Sequence, residues 1–340
     1  LQDRTVSSTP LRIRPILFGS VLLCAVVSAW LWPSLLREGL LFTGEGLVEV
    51  APLVLPGIAL TAWIMASGAD RLIGKAFEGR LFPAVLAAAA IGAITPVCGV
   101  TVLPLMVGLL AAGVPLAPVM AFWLSSPVTD PAMLATTAAT LGLAFAIGKT
   151  ISAFGLGLLG GMVTAALTGS EGGQSALRKG GLTNSLTTSC SCGPSTFEPR
   201  IWQTRERRRA FAKQALATTR LILICLIPAF FAEYALNAAL TPGALAAYVG
   251  EDTWWAIPAA VFVGAPAYID GYAALPLTRG LIDNGMSPGA AMAFLVSGGV
   301  VSIWGALAIF PVLRLRPFLL YLGLAVTGSL LAGYGFGWVV

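Results

Sequence analysis

Long apolar runs fill this 340-residue chain, separated by short polar or basic stretches. Crossing a bilayer takes about 20 predominantly apolar residues. The pattern predicts helices over 16–36, 47–67, 81–112, 115–139, 141–167, 214–240, 255–284, 288–312 and 316–338. Two of them, 81–112 and 255–284, carry internal Pro and Gly residues where a plain span would have Leu, Ile or Ala. The short alternating segments of a transmembrane β-barrel are absent. Residues 168–213 are polar, rich in Gly, Ser and Thr, and end in a basic cluster, which predicts a flexible linker. The apolar run from Ile16 to Trp32 follows Arg4, Arg12 and Arg14 in the manner of a signal peptide. Its length and the lack of an A-x-A cleavage site predict a retained first helix.

Composition agrees with the pattern. Hydrophobic residues make up 57% and charged residues 10% of the chain, with a mean hydropathy of +0.87; a soluble domain carries about 25% charged residues. The predicted class is an all-α polytopic membrane protein. The net charge of +5 then reports positive-inside topology and contact with membrane lipids, not nucleic-acid binding. There is no histidine, so the commonest metal ligand is missing, and the five cysteines show no disulfide-framework spacing. No cofactor motif is present, and no G-x-x-x-x-G-K-[ST] phosphate loop implies ATP use.

The linker separates two similar halves. "GAITPVCGVTVLPLMVGLLAAGVPLAPVMAFWLSSPV" (92–128) aligns without a gap on "GAPAYIDGYAALPLTRGLIDNGMSPGAAMAFLVSGGV" (264–300), 172 residues on, with 14 of 37 positions identical. Gly99 pairs with Gly271, Pro104 with Pro276, Ser125 with Ser297, and Cys98 falls opposite Asp270. This predicts four regions: a tail and first transmembrane helix (1–46), repeat 1 (47–167), a cytoplasmic basic linker (168–213) and repeat 2 (214–340). The arginines of the N-terminus and of the linker put both on the cytoplasmic side of an inner membrane. An even number of crossings must therefore separate residue 81 from residue 168, although three apolar segments lie between. Making 81–112, and likewise 255–284, a re-entrant hairpin resolves the count. Each half then crosses three times, and the halves lie in opposite orientations, the inverted-repeat plan of secondary transporters. Nine plain spans are the competing count.

Backbone that leaves a helix at membrane depth persists only where protein or a watery cavity satisfies it. The breaks "TPVCG" and "APAYIDG" therefore predict a binding site between the repeats. Its candidate substrate-binding residues are Thr95, Pro96, Cys98, Gly99, Ser125, Ser126, Tyr268, Asp270, Gly271, Tyr272 and Ser297. The Cys98 thiolate is a soft ligand suited to trivalent arsenic or antimony, and the alternative is a small side chain filling the break. Asp270, an ionisable group at membrane depth, is a candidate proton-coupling carboxylate, with Asp130 in "SSPVTDPAM" as a second. Thr129 adds a hydroxyl beside Asp130. Cys24 and Cys225 sit in plain apolar runs. In the linker, Cys190 and Cys192 form a C-x-C pair able to chelate a soft metal, or else are spectators.

The segment "TPVCGVTVLPLMVGLLAAGVPLAPVMAFWLSSPVTDPAM", with its second-half partner, resembles the predicted permease family of organoarsenical efflux permeases. The resemblance implies a bacterial inner-membrane exporter of a small toxic compound, a trivalent organoarsenical in many relatives. Many relatives read Cys-Ser-Cys at the break, whereas here Gly99 and Val100 follow Cys98. The expected function is therefore organoarsenical export, by proton-coupled antiport, and not enzymatic turnover. The alternatives are a permease for another small solute or metalloid, or an intramembrane aspartyl-type enzyme in which Asp130 and Asp270 would face each other.

Overall fold

A computed structural model describes residues 33–69, 81–95, 102–111, 114–168, 173–178, 197–239, 255–264, 274–301, 306, 309–310 and 312–340. Its helices are α1 (Pro33–Ser67), α2 (Leu81–Ile94), α3 (Leu103–Ala111), α4 (Leu116–Ser125), α5 (Pro131–Thr140), α6 (Leu143–Thr168), α7 (Arg205–Ala239), α8 (Ala256–Gly264), α9 (Ala274–Asp283), α10 (Pro288–Val300) and α11 (Leu315–Val339). Short 3₁₀ turns occupy Gly173–Ala176 and Ile201–Gln203. Among the described residues, α6, α11 and the Arg205–Pro228 part of α7 are long and apolar enough to cross a membrane. The protein is an all-α membrane bundle.

Two expectations shift. The turn expected between spans 16–36 and 47–67 is not there, because α1 runs unbroken through Arg37, Glu38, Glu45 and Glu49. Residues 205–213, expected to be linker, are the first turns of α7. Helices of 35 residues are about 52 Å long, well beyond the hydrocarbon thickness, so each can carry a polar end outside it.

Helix starts repeat at the same spacing as the sequence. α1 and α7 begin at 33 and 205, α4 and α10 at 116 and 288, and α6 and α11 at 143 and 315, each pair 172 residues apart. Local capping explains several of these starts. Pro131 opens α5 behind Asp130, whose Oδ1 accepts the Ala132 and Met133 N–H groups at 2.8 and 2.9 Å. Pro288 opens α10 behind Ser287, which accepts the Ala290 N–H at 3.3 Å.

Equivalent helices pair head to tail. Along α1 and α7, Glu38 accepts a 2.6 Å bond from the Tyr234 hydroxyl, Gly46 packs on Phe230, and Arg207 donates to the Ala66 and Ser67 carbonyls. The numbers rise on one helix as they fall on the other, so the pair is antiparallel. Along α6 and α11, Gly148 packs on Phe336 and Leu156 packs on Gly328, which again is antiparallel. Leu156 and Gly328 are themselves equivalent positions, so these helices cross near their midpoints.

The shorter helices lie along the long ones. Gly161 of α6 meets Val85 of α2 and Ala121 of α4, and one turn back Gly157 meets Ala89, the Ala121 carbonyl and Ser125. Both α2 and α4 are therefore antiparallel to α6 and parallel to each other. The second half repeats this at equivalent positions: Gly333 of α11 meets Ile257 of α8 and Ala293 of α10. Near the chain ends of these helices, the segment after α6 pairs with the segment entering α11, through Arg178 N–H to Val312 O at 2.8 Å and Arg314 N–H to Ala176 O at 2.9 Å.

Candidate transport site

The described helices end on either side of the two Pro/Gly segments. α2 stops at Ile94 and α3 starts at Leu103, and α8 stops at Gly264 and α9 starts at Ala274. Arms of 14, 9, 9 and 10 residues are at most about 21 Å long, too short to cross alone. Pro96, Cys98, Gly99, Tyr268, Asp270, Gly271 and Tyr272 lie outside the described residues, as do Cys190 and Cys192.

What flanks the breaks is well defined. Gly92, in the last turn of α2, is packed against the Ser125 hydroxyl and the Phe122 carbonyl at the end of α4. At the equivalent place, Gly264 ends α8 against the Ser297 hydroxyl and the Phe294 carbonyl of α10. The two assemblies meet where Gly299 approaches Pro127, a Cβ on the glycine standing 2.8 Å from the proline carbonyl oxygen. Pro127 and Gly299 are again equivalent positions. The described C-terminal ends of α2, α4, α8 and α10 thus converge on one locus, each bringing the negative end of a helix dipole.

Ser125 and Ser297 are fully buried there and donate within their own helices, Ser125 to Ala121 O at 2.9 Å and Ser297 to Phe294 O at 3.1 Å. Their oxygens keep accepting capacity. Thr95 closes α2 by donating to Ile91 O at 2.5 Å. Ser126, Thr129 and Asp130 follow α4 and are all buried. They form the non-helical stretch between α4 and α5, so the run 115–139 is itself interrupted halfway.

The structure adds a residue that the reading of the sequence passed over. Lys149, six positions into α6, is 2% exposed, and its Nζ lies 2.9 Å from the Met133 sulfur on α5. Met133 also gives its N–H to Asp130. Met133 thus touches both, the buried cation through its sulfur and the carboxylate cap through its backbone N–H. A buried ionisable side chain within a spanning helix is costly, so it is a functional pointer. The signal was in the sequence, as a lone lysine in "LAFAIGKTISAFG". Two further buried polar atoms, Trp123 Nε1 and Thr137 Oγ1, have no protein hydrogen-bond partner among the described residues.

Of the basic cluster expected to rest on lipid headgroups, Arg207 turns inward. It is 5% exposed, caps the end of α1, and pairs with Glu198 at 3.2 Å. Arg205, Arg208 and Arg209 are exposed.

Short apolar helices whose described ends meet inside an apolar bundle fit a membrane permease. The chain belongs to the predicted permease family, which it matches over residues 35–338. It is similar to UPF0718 protein MJ0584 of Methanocaldococcus jannaschii, 26% identical over 326 residues, covering 81% of this chain and 89% of that one. A shorter match, 32% identical over 96 residues, joins 28% of this chain to 33% of UPF0718 protein YcgR of Bacillus subtilis. No solved structure matches it.

Proposed function

We propose that this permease is an inverted-repeat secondary transporter exporting a small toxic compound, a trivalent organoarsenical, by proton-coupled antiport across a bacterial inner membrane. The observation that carries the reading is the antiparallel pairing of equivalent helices, α1 with α7 and α6 with α11. A two-fold that reverses spanning helices lies in the membrane plane, which is the symmetry of inverted repeats. Parallel α2 and α4 support re-entrant hairpins, since the chain must double back through α3 to begin α4 at the level where α2 began. With the basic linker cytoplasmic, both hairpin tips then lie near the midplane, facing each other.

In this reading Cys98 holds the soft cargo and Asp270 exchanges the proton, with Thr95, Pro96, Gly99, Ser125, Ser126, Tyr268, Gly271, Tyr272 and Ser297 lining the path. A single thiolate holds trivalent arsenic reversibly, which release on the far side requires. Asp130 is a second coupling carboxylate, and Cys190 and Cys192 hand cargo from the cytoplasm. The deciding experiment is uptake of methylarsenite and of a neutral control solute into everted vesicles, with and without an imposed pH gradient. Gradient-driven accumulation of the arsenical alone supports the reading. Uptake of neither, in vesicles that hold the protein, refutes the cargo.

A further inference from the structure

The chain that leaves α6 folds back into the bundle before the linker proper begins. The 3₁₀ turn Gly173–Ala176 packs on α3. Leu177 then forms an antiparallel bridge with Leu313, framed by Arg178 N–H to Val312 O at 2.8 Å and Arg314 N–H to Ala176 O at 2.9 Å. Ala176 and Leu177 are buried in one apolar cluster with Met106 and Leu110 of α3 and with Ile309, Val312 and Leu313. At the rim the Arg178 guanidinium lies over the Phe310 ring, 4.7 Å from its centroid, and Phe310 meets Phe318 of α11 edge-on. Residues 173–178 are thus a strap from the end of α6 to the entry of α11, seated on α3. Its hold is small beside the helices it joins, one alanine, one leucine and two interstrand bonds. In the sequence "GGQSALRKGG" (172–181) glycine pairs stand on both sides of it, and glycine lets a chain change direction at no steric cost. The equivalent segment entering α6, residues 140–142, bears no such bridge among the described residues.

We propose that residues 173–178 are a releasable latch on the linker's side of the membrane: seated as here they close the bundle between α3 and the entry of α11, and they peel away when the transport site opens to that side. Two arrangements carry this. The strap fills a seam between the repeats, since α3 belongs to the first and Leu313 to the second, and alternating access rocks one repeat against the other. A seam packed with buried apolar side chains admits no polar solute, so passage needs the strap to move. The bonds that hold it are few and local, which is the property of segments that open without global unfolding. Arg178 stays at the rim, where its contact with Phe310 reseats the strap without burying a charge. The proposal rests on the transporter reading above for the site that the latch guards, but not for the opening itself.

The test uses the full chain with Leu177→Cys and Leu313→Cys, singly and together. Facing residues of an antiparallel pair have Cα atoms about 4.5–5.5 Å apart, within the span that a disulfide accepts. In nanodiscs, hydrogen exchange of the wild-type protein should be about tenfold or more faster in 173–178 than in the buried middles of α6 and α11, and oxidation of the double variant should remove that difference. Exchange in 173–178 as slow as in those helices would overturn the latch, whatever the cargo. In everted vesicles, oxidation of the double variant should cut methylarsenite uptake by about tenfold or more, and a phosphine reductant should restore it. The single variants carry the same native cysteines and should keep their rate through both treatments. Full uptake by the cross-linked protein, or equal loss in the single variants, would overturn the gating role. If the wild-type protein carries no methylarsenite, the cargo reading fails and the exchange experiment still decides the latch.

Discussion

Gly92 and Gly264 are the tightest tests of how the broken helices seat. A methyl group at Gly92 would stand 2.8 Å from the Phe122 carbonyl oxygen and 3.3 Å from its Cα, and also collide with the Ser125 hydroxyl. At Gly264 it would stand 2.9 Å from the Phe294 carbonyl oxygen and meet Ser297. The serine can turn away, but the carbonyl is helix backbone and cannot. Overpacking of this kind costs about 1–3 kcal/mol. Against it stands the helix-propensity gain of Gly→Ala, about 0.5–1 kcal/mol. The net expectation at both positions is destabilisation by about 1–2 kcal/mol after the two opposing effects. Gly155 and Gly323 have nothing within 4 Å of a built Cβ, so Ala there keeps only the gain and should stabilise by about 0.5–1 kcal/mol. Thermal or denaturant unfolding of the four variants in one detergent checks the signs. Gly92→Ala or Gly264→Ala melting at or above wild type would refute the close seating of α2 on α4 or of α8 on α10. Opposite signs at the two sites would refute their equivalence.

Four further outcomes are expected, those at Cys98 and Asp270 from the proposed function and those at Arg207 and position 205 from the structure and the basic cluster. Cys98→Ser should remove methylarsenite export at unchanged protein level, while Cys24→Ser and Cys225→Ser are silent; full export by Cys98→Ser would reduce the thiol to a space-filler. Asp270→Asn, which imitates the protonated acid, should keep substrate binding and lose pH-gradient-driven export, and normal export across the pH range would move coupling elsewhere. Arg207 donates through one nitrogen to the α1 carbonyls and through another to Glu198, a fork that lysine cannot copy, so Arg207→Lys and Arg207→Met should both destabilise by about 1–3 kcal/mol in unfolding assays. A cysteine at position 205 should react with a membrane-permeant maleimide and not with an impermeant one added to whole cells, and labelling by the impermeant reagent would invert the topology.

Pro and Gly mark, within otherwise apolar runs, the segments that separate α2 from α3 and α8 from α9. Hydropathy missed the first half of α1 because Arg37, Glu38, Glu45 and Glu49 lower the average there, although they suit a long helix whose polar end lies outside the hydrocarbon. Tyr234, which donates to Glu38, comes from the partner helix and leaves no local trace. Lys149 escaped for the opposite reason: one cation among 26 mostly apolar residues hardly moves the mean. Arg207 looked like its neighbours in "RERRRAFAK", and only the tertiary fold shows which arginine of the four reaches the end of α1.

The duplicated halves differ in an informative way. Residues that set the frame are kept between equivalents: Gly92 with Gly264, Gly161 with Gly333, Ser125 with Ser297. The equivalent glycines make like contacts in both halves, Gly92 and Gly264 against a serine hydroxyl and a phenylalanine carbonyl, Gly161 and Gly333 against an alanine and a β-branched side chain. Positions that bear chemistry diverge: Cys98 faces Asp270 in the alignment, and Lys149 faces Tyr321. In the proposed transporter, a frame with equal halves can be seated in either of two ways related by the pseudo-two-fold axis at similar cost, which is what alternating access needs. In the proposed transporter, a soft thiol in one Pro/Gly segment and a carboxylate in the other make those two seatings chemically unequal. Under the proposed antiport, that inequality is what would let a proton gradient, which is indifferent to a symmetric frame, drive the cargo one way.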